Sequence, residues 1–118
     1  MKRTPARKAS GKKPPRLSKA RLAEMIEDAT VDAYGESEQI TGWFTMIDEN
    51  LAVPFETTVL GVAVTVERVD LTSSEQIVAV SVRGQDRQVL PILDLPLSTP
   101  SPDGAEWIEA YRQWRGEA

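Results

Sequence analysis

At 118 residues the chain can bury one modest core and has no room for a second. It contains no cysteine and no histidine, which excludes disulfides, thiolate and imidazole metal sites and most catalytic triads. The net charge of −4 hides two opposite parts: residues 1–21 carry nine Lys or Arg and no acid, whereas residues 22–118 carry five Arg against all eighteen acids, a net charge of −13.

No apolar run approaches the ~18 residues of a membrane span, and the N-terminus lacks the apolar stretch of a signal peptide. The expectation is a soluble, cytoplasmic protein. Any metal it holds must be bound by oxygen alone, which suits calcium, magnesium or manganese.

Residues 1–16, MKRTPARKASGKKPPR, are rich in Lys, Arg, Pro and Gly with almost no apolar content. Such a stretch buries too little to offset the entropy cost of ordering, so it reads as a disordered basic tail ahead of a single domain over 17–118. Weak contact with nucleic-acid phosphates is one use for it, and a solvated tail, or one folded back on the acidic body, is the plainer one.

The first helix is expected to start after Ser18, a good cap residue. Leu22, Met25, Ile26, Ala29 and Ala33 keep the spacing of an amphipathic stripe, and Gly35 suits the left-handed position that ends many helices. A second helix takes Ile40, Trp43, Phe44, Ile47 and Leu51 and stops before Pro54. Trp43 and Phe44 read as core anchors rather than an aromatic ligand cage.

Between Glu24 and Asn50 stand eight acids, Glu24, Glu27, Asp28, Asp32, Glu36, Glu38, Asp48 and Glu49, and no Lys or Arg. Glu36 and Glu38 fall in a first helical turn, where acids stabilise a helix by roughly 0.3 to 1 kcal/mol. Asp28 and Asp32 near one helix end, and Asp48 and Glu49 near the other, sit where the backbone dipole and like-charge repulsion oppose them. Repeated violations of local rules in one region point to a hard cation that compensates them.

From Phe55 the period changes to two. Val62, Val64 and Val66 alternate with Ala63, Thr65 and Glu67, and after a polar turn at Leu71–Ser74 the residues Val78, Val80 and Val82 alternate with Ile77, Ala79 and Ser81. These read as strands with one face inward. Arg83–Asp86 makes a tight reversal, and Arg87–Leu93 returns as a strand that Pro91 places at an edge. With Phe55–Leu60 the strands number about four, in a small antiparallel sheet or SH3-like barrel. A closing helix, capped by Ser101 with Pro102 in its first turn, carries Trp107, Ile108, Tyr111 and Trp114 on one face. Asp70, Glu75, Asp103, Glu106 and Glu109 read as solvated polar surface. The fold class is α+β.

Nothing in the sequence matches an EF-hand loop, a glycine-rich phosphate loop or a nucleophile elbow. Paired acids can serve as acid and base, but no cleft-forming second domain is expected, and the chain is not read as an enzyme. Asp32-Ala-Tyr34, Glu36, Glu38, Gly42-Trp43, Asp48-Glu49, Leu51 and Pro54-Phe55, followed by a β segment and a helix bearing Trp107 and Trp114, resemble the cyanobacterial CcbP-type calcium-binding family and its bacterial relatives. The resemblance spans about residues 22–115. It implies a small α+β protein that binds Ca2+ through an acidic surface as a buffer or sensor, with candidate ligands Asp28, Asp32, Glu36, Glu38, Asp48 and Glu49. The second reading is an interaction module whose acidic face docks a basic protein partner and whose tail touches nucleic acid; no membrane partner is expected.

Overall fold

The computed structural model describes residues 17–97 and 100–116, so the expected disordered segment 1–16 lies outside the described residues. Helix α1 spans Lys19–Thr30 and is capped as its sequence suggests, the Arg21 N–H donating to Ser18 Oγ at 3.0 Å. It stops before Ala33, earlier than the apolar spacing implies. Thr30 Oγ1 turns back to the Ile26 carbonyl at 2.7 Å and Val31 is extended, after which Asp32 takes the left-handed backbone with φ 60°. Asp32, and not Gly35, is therefore the left-handed residue of the turn, a conformation that a short polar side chain tolerates. Gly35 is extended and opens helix α2, Glu36–Asn50.

The two helices meet backbone to backbone. A side chain at Gly42 would collide with the Ala29 carbonyl, so only glycine permits this approach. Met25 and Ala29 on α1 and Ile40, Trp43 and Ile47 on α2 are buried, as the stripe of each helix requires.

Four strands follow: β1 Phe55–Val59, β2 Val62–Leu71, β3 Ile77–Arg83 and β4 Asp86–Pro91. They pair antiparallel in the order β1-β2-β3-β4, as an open sheet and not a closed barrel. Pro91 ends the edge strand β4, where the lack of a donor costs no ladder bond.

Two features depart from simple alternation. In β2 a bulge at Glu67 shifts the register, Val66 facing Ser81 and Arg68 facing Val80, so that Val66, Val69 and Leu71 all reach the helix side. In β3 the run Ile77–Ser81 is buried on both faces. Ile77 and Ala79 join the main core, while Val78 and Val80 point away from the helices. Above them Glu67 of β2 pairs with Arg87 of β4 at 3.2 Å across the intervening strand, and such polar side chains shield valine with their apolar stems.

A short 3-10 turn, Ile92–Asp94, leads to helix α3, Ala105–Trp114. Thr57 Oγ1 on β1 donates to the Pro96 carbonyl at 2.6 Å and ties this connector to the sheet. Helix α3 starts later than the Ser101–Pro102 pair suggests. Gly104, with φ 89°, is its cap and packs against the Asn50 carbonyl, and the Ala52 N–H donates to Asp103 O at 2.8 Å. Docking on the end of α2, and not the local cap signal, sets where α3 begins.

Trp43 sits at the centre of the core, fully buried, with the rings of Trp107, Tyr111 and Trp114 at 6.2, 5.8 and 5.8 Å. Aromatic pairs of this kind each contribute about 0.5–1.5 kcal/mol beyond their buried area. Among the described residues Trp43 Nε1 finds no hydrogen-bond acceptor, which offsets part of that gain by about 1–3 kcal/mol. Among the described residues no helix is long and apolar enough to cross a membrane.

Candidate functional site

The helix pair presents its acids outward. Glu24, Glu27 and Asp28 on α1, Asp32 in the turn, and Glu36, Glu38, Asp48 and Glu49 on α2 are all exposed. The same spacing that buries Met25, Ala29, Ile40, Trp43 and Ile47 forces the intervening carboxylates to the opposite side of each helix.

The fold separates the six candidate ligands into two groups. Asp28, Asp32, Glu36 and Glu38 belong to the end of α1, the interhelical turn and the start of α2. Asp48 and Glu49 belong to the other end of α2, and Asp48 is about 18 Å from Glu36 along the helix axis. No single ion can be shared between the first and last turns of α2.

Local bonds hold part of the first group. The Tyr34 N–H donates to Glu38 Oε1 at 2.8 Å, so the carboxylate reaches back over the start of α2 and satisfies a donor of the turn. Ser37, between Glu36 and Glu38, donates from Oγ to Glu75 Oε2 at 2.6 Å. Glu75 lies in the β2–β3 turn with φ 66°, and the fold brings it to the first turn of α2. Glu75 is exposed, in keeping with a solvated polar surface, and its bond to Ser37 has no local signal in the sequence because the partners are 38 positions apart.

Cations are scarce around this surface. Arg21 pairs with Glu24 at 3.2 Å and lies over the Trp107 ring at 5.9 Å. Arg115 stacks over Tyr111 at 5.8 Å and, with Glu36, Gln39 and Trp114, lines an open cleft of about 370 Å³. The other arginines of the folded part lie on the sheet, its hairpin or the far side of α3, where Arg68 and Arg87 share Glu67 and Arg112 bonds Glu109 and the Leu93 carbonyl.

The donor set fits a hard cation in kind, since it is made of oxygen and faces water. In number it is sparse at any one point: among the described residues, no group of three or more Asp or Glu side chains is placed to hold a metal ion. Backbone carbonyls and water must complete any coordination sphere that a carboxylate or a pair of carboxylates begins.

The structure is similar to two solved proteins. The crystal structure of Anabaena CcbP superposes with a TM-score of 0.65 at 17% identity, over 87% of this chain and 94% of that one. A calcium-binding protein in its calcium-binding form superposes with a TM-score of 0.64 at 19% identity, over 82% and 92% of the two chains. At these identities the likeness speaks for the fold. No curated protein matches the chain. The family model of CcbP, described as calcium binding, matches residues 23–115, which takes in most of α1, all of α2, the whole sheet and α3 and leaves out the basic segment. The chain belongs to the CcbP calcium-binding family.

Proposed function

We propose that this protein is a non-catalytic, cytoplasmic calcium-binding protein, a buffer or sensor, whose ion is held by surface carboxylates of the helix pair and not by an EF-hand loop. The observation that carries the reading is the set of eight exposed acids between Glu24 and Glu49, with no Lys or Arg among them, in a member of this family. The relative solved in a calcium-binding form supports it.

Calcium accepts six to eight oxygens in tolerant geometry, so one or two carboxylates together with carbonyls and water can meet its demand. Asp28, Asp32, Glu36 and Glu38 are the candidates around the interhelical turn, with Glu75 as a further carboxylate tied to the same helical turn through Ser37. Asp48 and Glu49 are candidates for a separate ion at the far end of α2. Magnesium, which demands octahedral geometry and gives up its waters reluctantly, gains less from such a loose set.

The test is calorimetric titration of chelator-stripped protein with calcium and, in parallel, with magnesium. A saturable calcium isotherm at about one or two ions per chain that survives excess magnesium is the expected result. Salt-sensitive heats that never reach a plateau would mean a diffuse acidic surface and would overturn the reading.

A further inference from the structure

We propose that the outward face of the α1–α2 pair is the docking surface of the chain's own basic segment, residues 1–16, and that calcium and this segment compete for it. The competition rests on the calcium reading above; the docking does not.

Charge is the first argument. Residues 1–16 hold seven Lys or Arg and no acid, while Glu24–Asn50 holds eight acids and no Lys or Arg. Among the described residues only Glu24 of those eight has an ion-pair partner, Arg21. The other seven are exposed and have no ion-pair partner among the described residues, although Arg115 lines one cleft with Glu36 and Lys19 opens the helix that carries Glu27 and Asp28. The strands offer a weaker target, because Arg68, Arg83 and Arg87 stand among their acids Glu56, Glu67, Asp70 and Asp86, and Glu67 is already shared by Arg68 and Arg87.

Reach is the second argument. The basic segment joins the fold at Leu17, which packs against the core beside the Ser18 cap, so its point of departure is the start of α1 itself. Sixteen residues can extend to about 55 Å, more than the longest 40 Å dimension of the body. Every acid of the helix pair lies within that radius. Tethering gives the segment an effective concentration in the millimolar range, so contacts too weak to hold a free peptide still populate a docked state.

The third argument is that the segment lies outside the region matched by the family, residues 23–115. The matched region contains all eight acids of the helix pair and none of the basic residues of 1–16. A carboxylate neutralised by Lys or Arg is withdrawn from calcium, and the apparent affinity falls by the fraction of molecules in which the face is open. The docked state weakens as salt shortens the Debye length from about 10 Å at 0.1 M to about 3 Å at 1 M.

Carbodiimide cross-linking tests the docking without reference to calcium, because it joins only amines and carboxylates in contact. In the full-length chain at low ionic strength, Lys2, Lys8, Lys12 and Lys13 should link to acids between Glu24 and Glu49 within one molecule, and the links should fade in about 1 M salt. Links confined to the sheet acids, links found only between two molecules, or no links would each overturn the docking. Calcium titration of the same chain and of a full-length variant with all seven basic residues of 1–16 replaced by Gln tests the competition. The variant should bind calcium roughly two- to tenfold more tightly at low ionic strength and equally at high salt. Equal affinity at low salt overturns the competition alone. Failure of both proteins to bind calcium, with the links intact, overturns the calcium reading and the competition together.

Discussion

Ser37 and Glu75 stand 38 positions apart, yet the Ser37 hydroxyl donates to the Glu75 carboxylate at 2.6 Å. The bond fastens the first turn of α2 to the turn between β2 and β3, and so fixes the acidic end of the helix pair against the sheet. Removing either partner by Ser37→Ala or Glu75→Ala should cost about 0.5–1 kcal/mol in urea unfolding, since the pair is exposed to water. The double variant should cost no more than the larger single loss. Fully additive losses would show that the bond contributes nothing.

Asp32 carries charge and a left-handed backbone together. Asp32→Asn removes the charge while keeping a side chain that tolerates φ 60°. Calcium affinity should fall roughly three- to tenfold with the unfolding midpoint unchanged. An unchanged isotherm removes Asp32 from the site.

Glu38 has a structural duty that must be separated from any ligand role. Glu38→Gln keeps an oxygen for the Tyr34 N–H, whereas Glu38→Ala leaves that donor to water and should cost about 0.5–1 kcal/mol. If Glu38 also holds calcium, both variants lose affinity although only one loses stability. Parallel denaturation and calorimetry distinguish the two roles.

Gly42 allows the helices to touch. Gly42→Ala forces a methyl group onto the Ala29 carbonyl and should destabilise the fold by about 1–3 kcal/mol, or separate the helices. Gly35→Ala, with open space around it and an extended backbone, should cost less than about 1 kcal/mol. Equal losses at both positions would show that the helix contact is not what selects glycine at Gly42.

The helix pair was legible because each helix carries its own buried stripe, and Met25, Ala29, Ile40, Trp43 and Ile47 announce themselves by spacing alone. The strands were legible as strands, but their faces were not. A period of two carried past Val66 would send Val69 and Leu71 to the wrong side, and only the bulge at Glu67 restores them. Whether the sheet closed into a barrel depended on pairing between strands, which alternation within one strand does not encode. The same limit explains the ends of helices α1 and α3. Local cap signals at Gly35 and Ser101 were real but were overridden by the left-handed Asp32 and by the seat of Gly104 against Asn50. The acids of the candidate site were visible as a run in sequence. Their division between two ends of α2, and the arrival of Glu75, required the fold.

The chain contains three tryptophans, and all three lie in the one cluster around which α2 and α3 pack. Helix α2 therefore shows carboxylates to the solvent on one side and holds an indole against two others on the opposite side. A small roll or slide of this helix, when its outer charges are neutralised, alters the angles and separations among those rings. The near-ultraviolet circular dichroism and emission of the protein should register any such movement, so the buried indoles offer an optical readout of whether occupation of the acidic face is felt in the core.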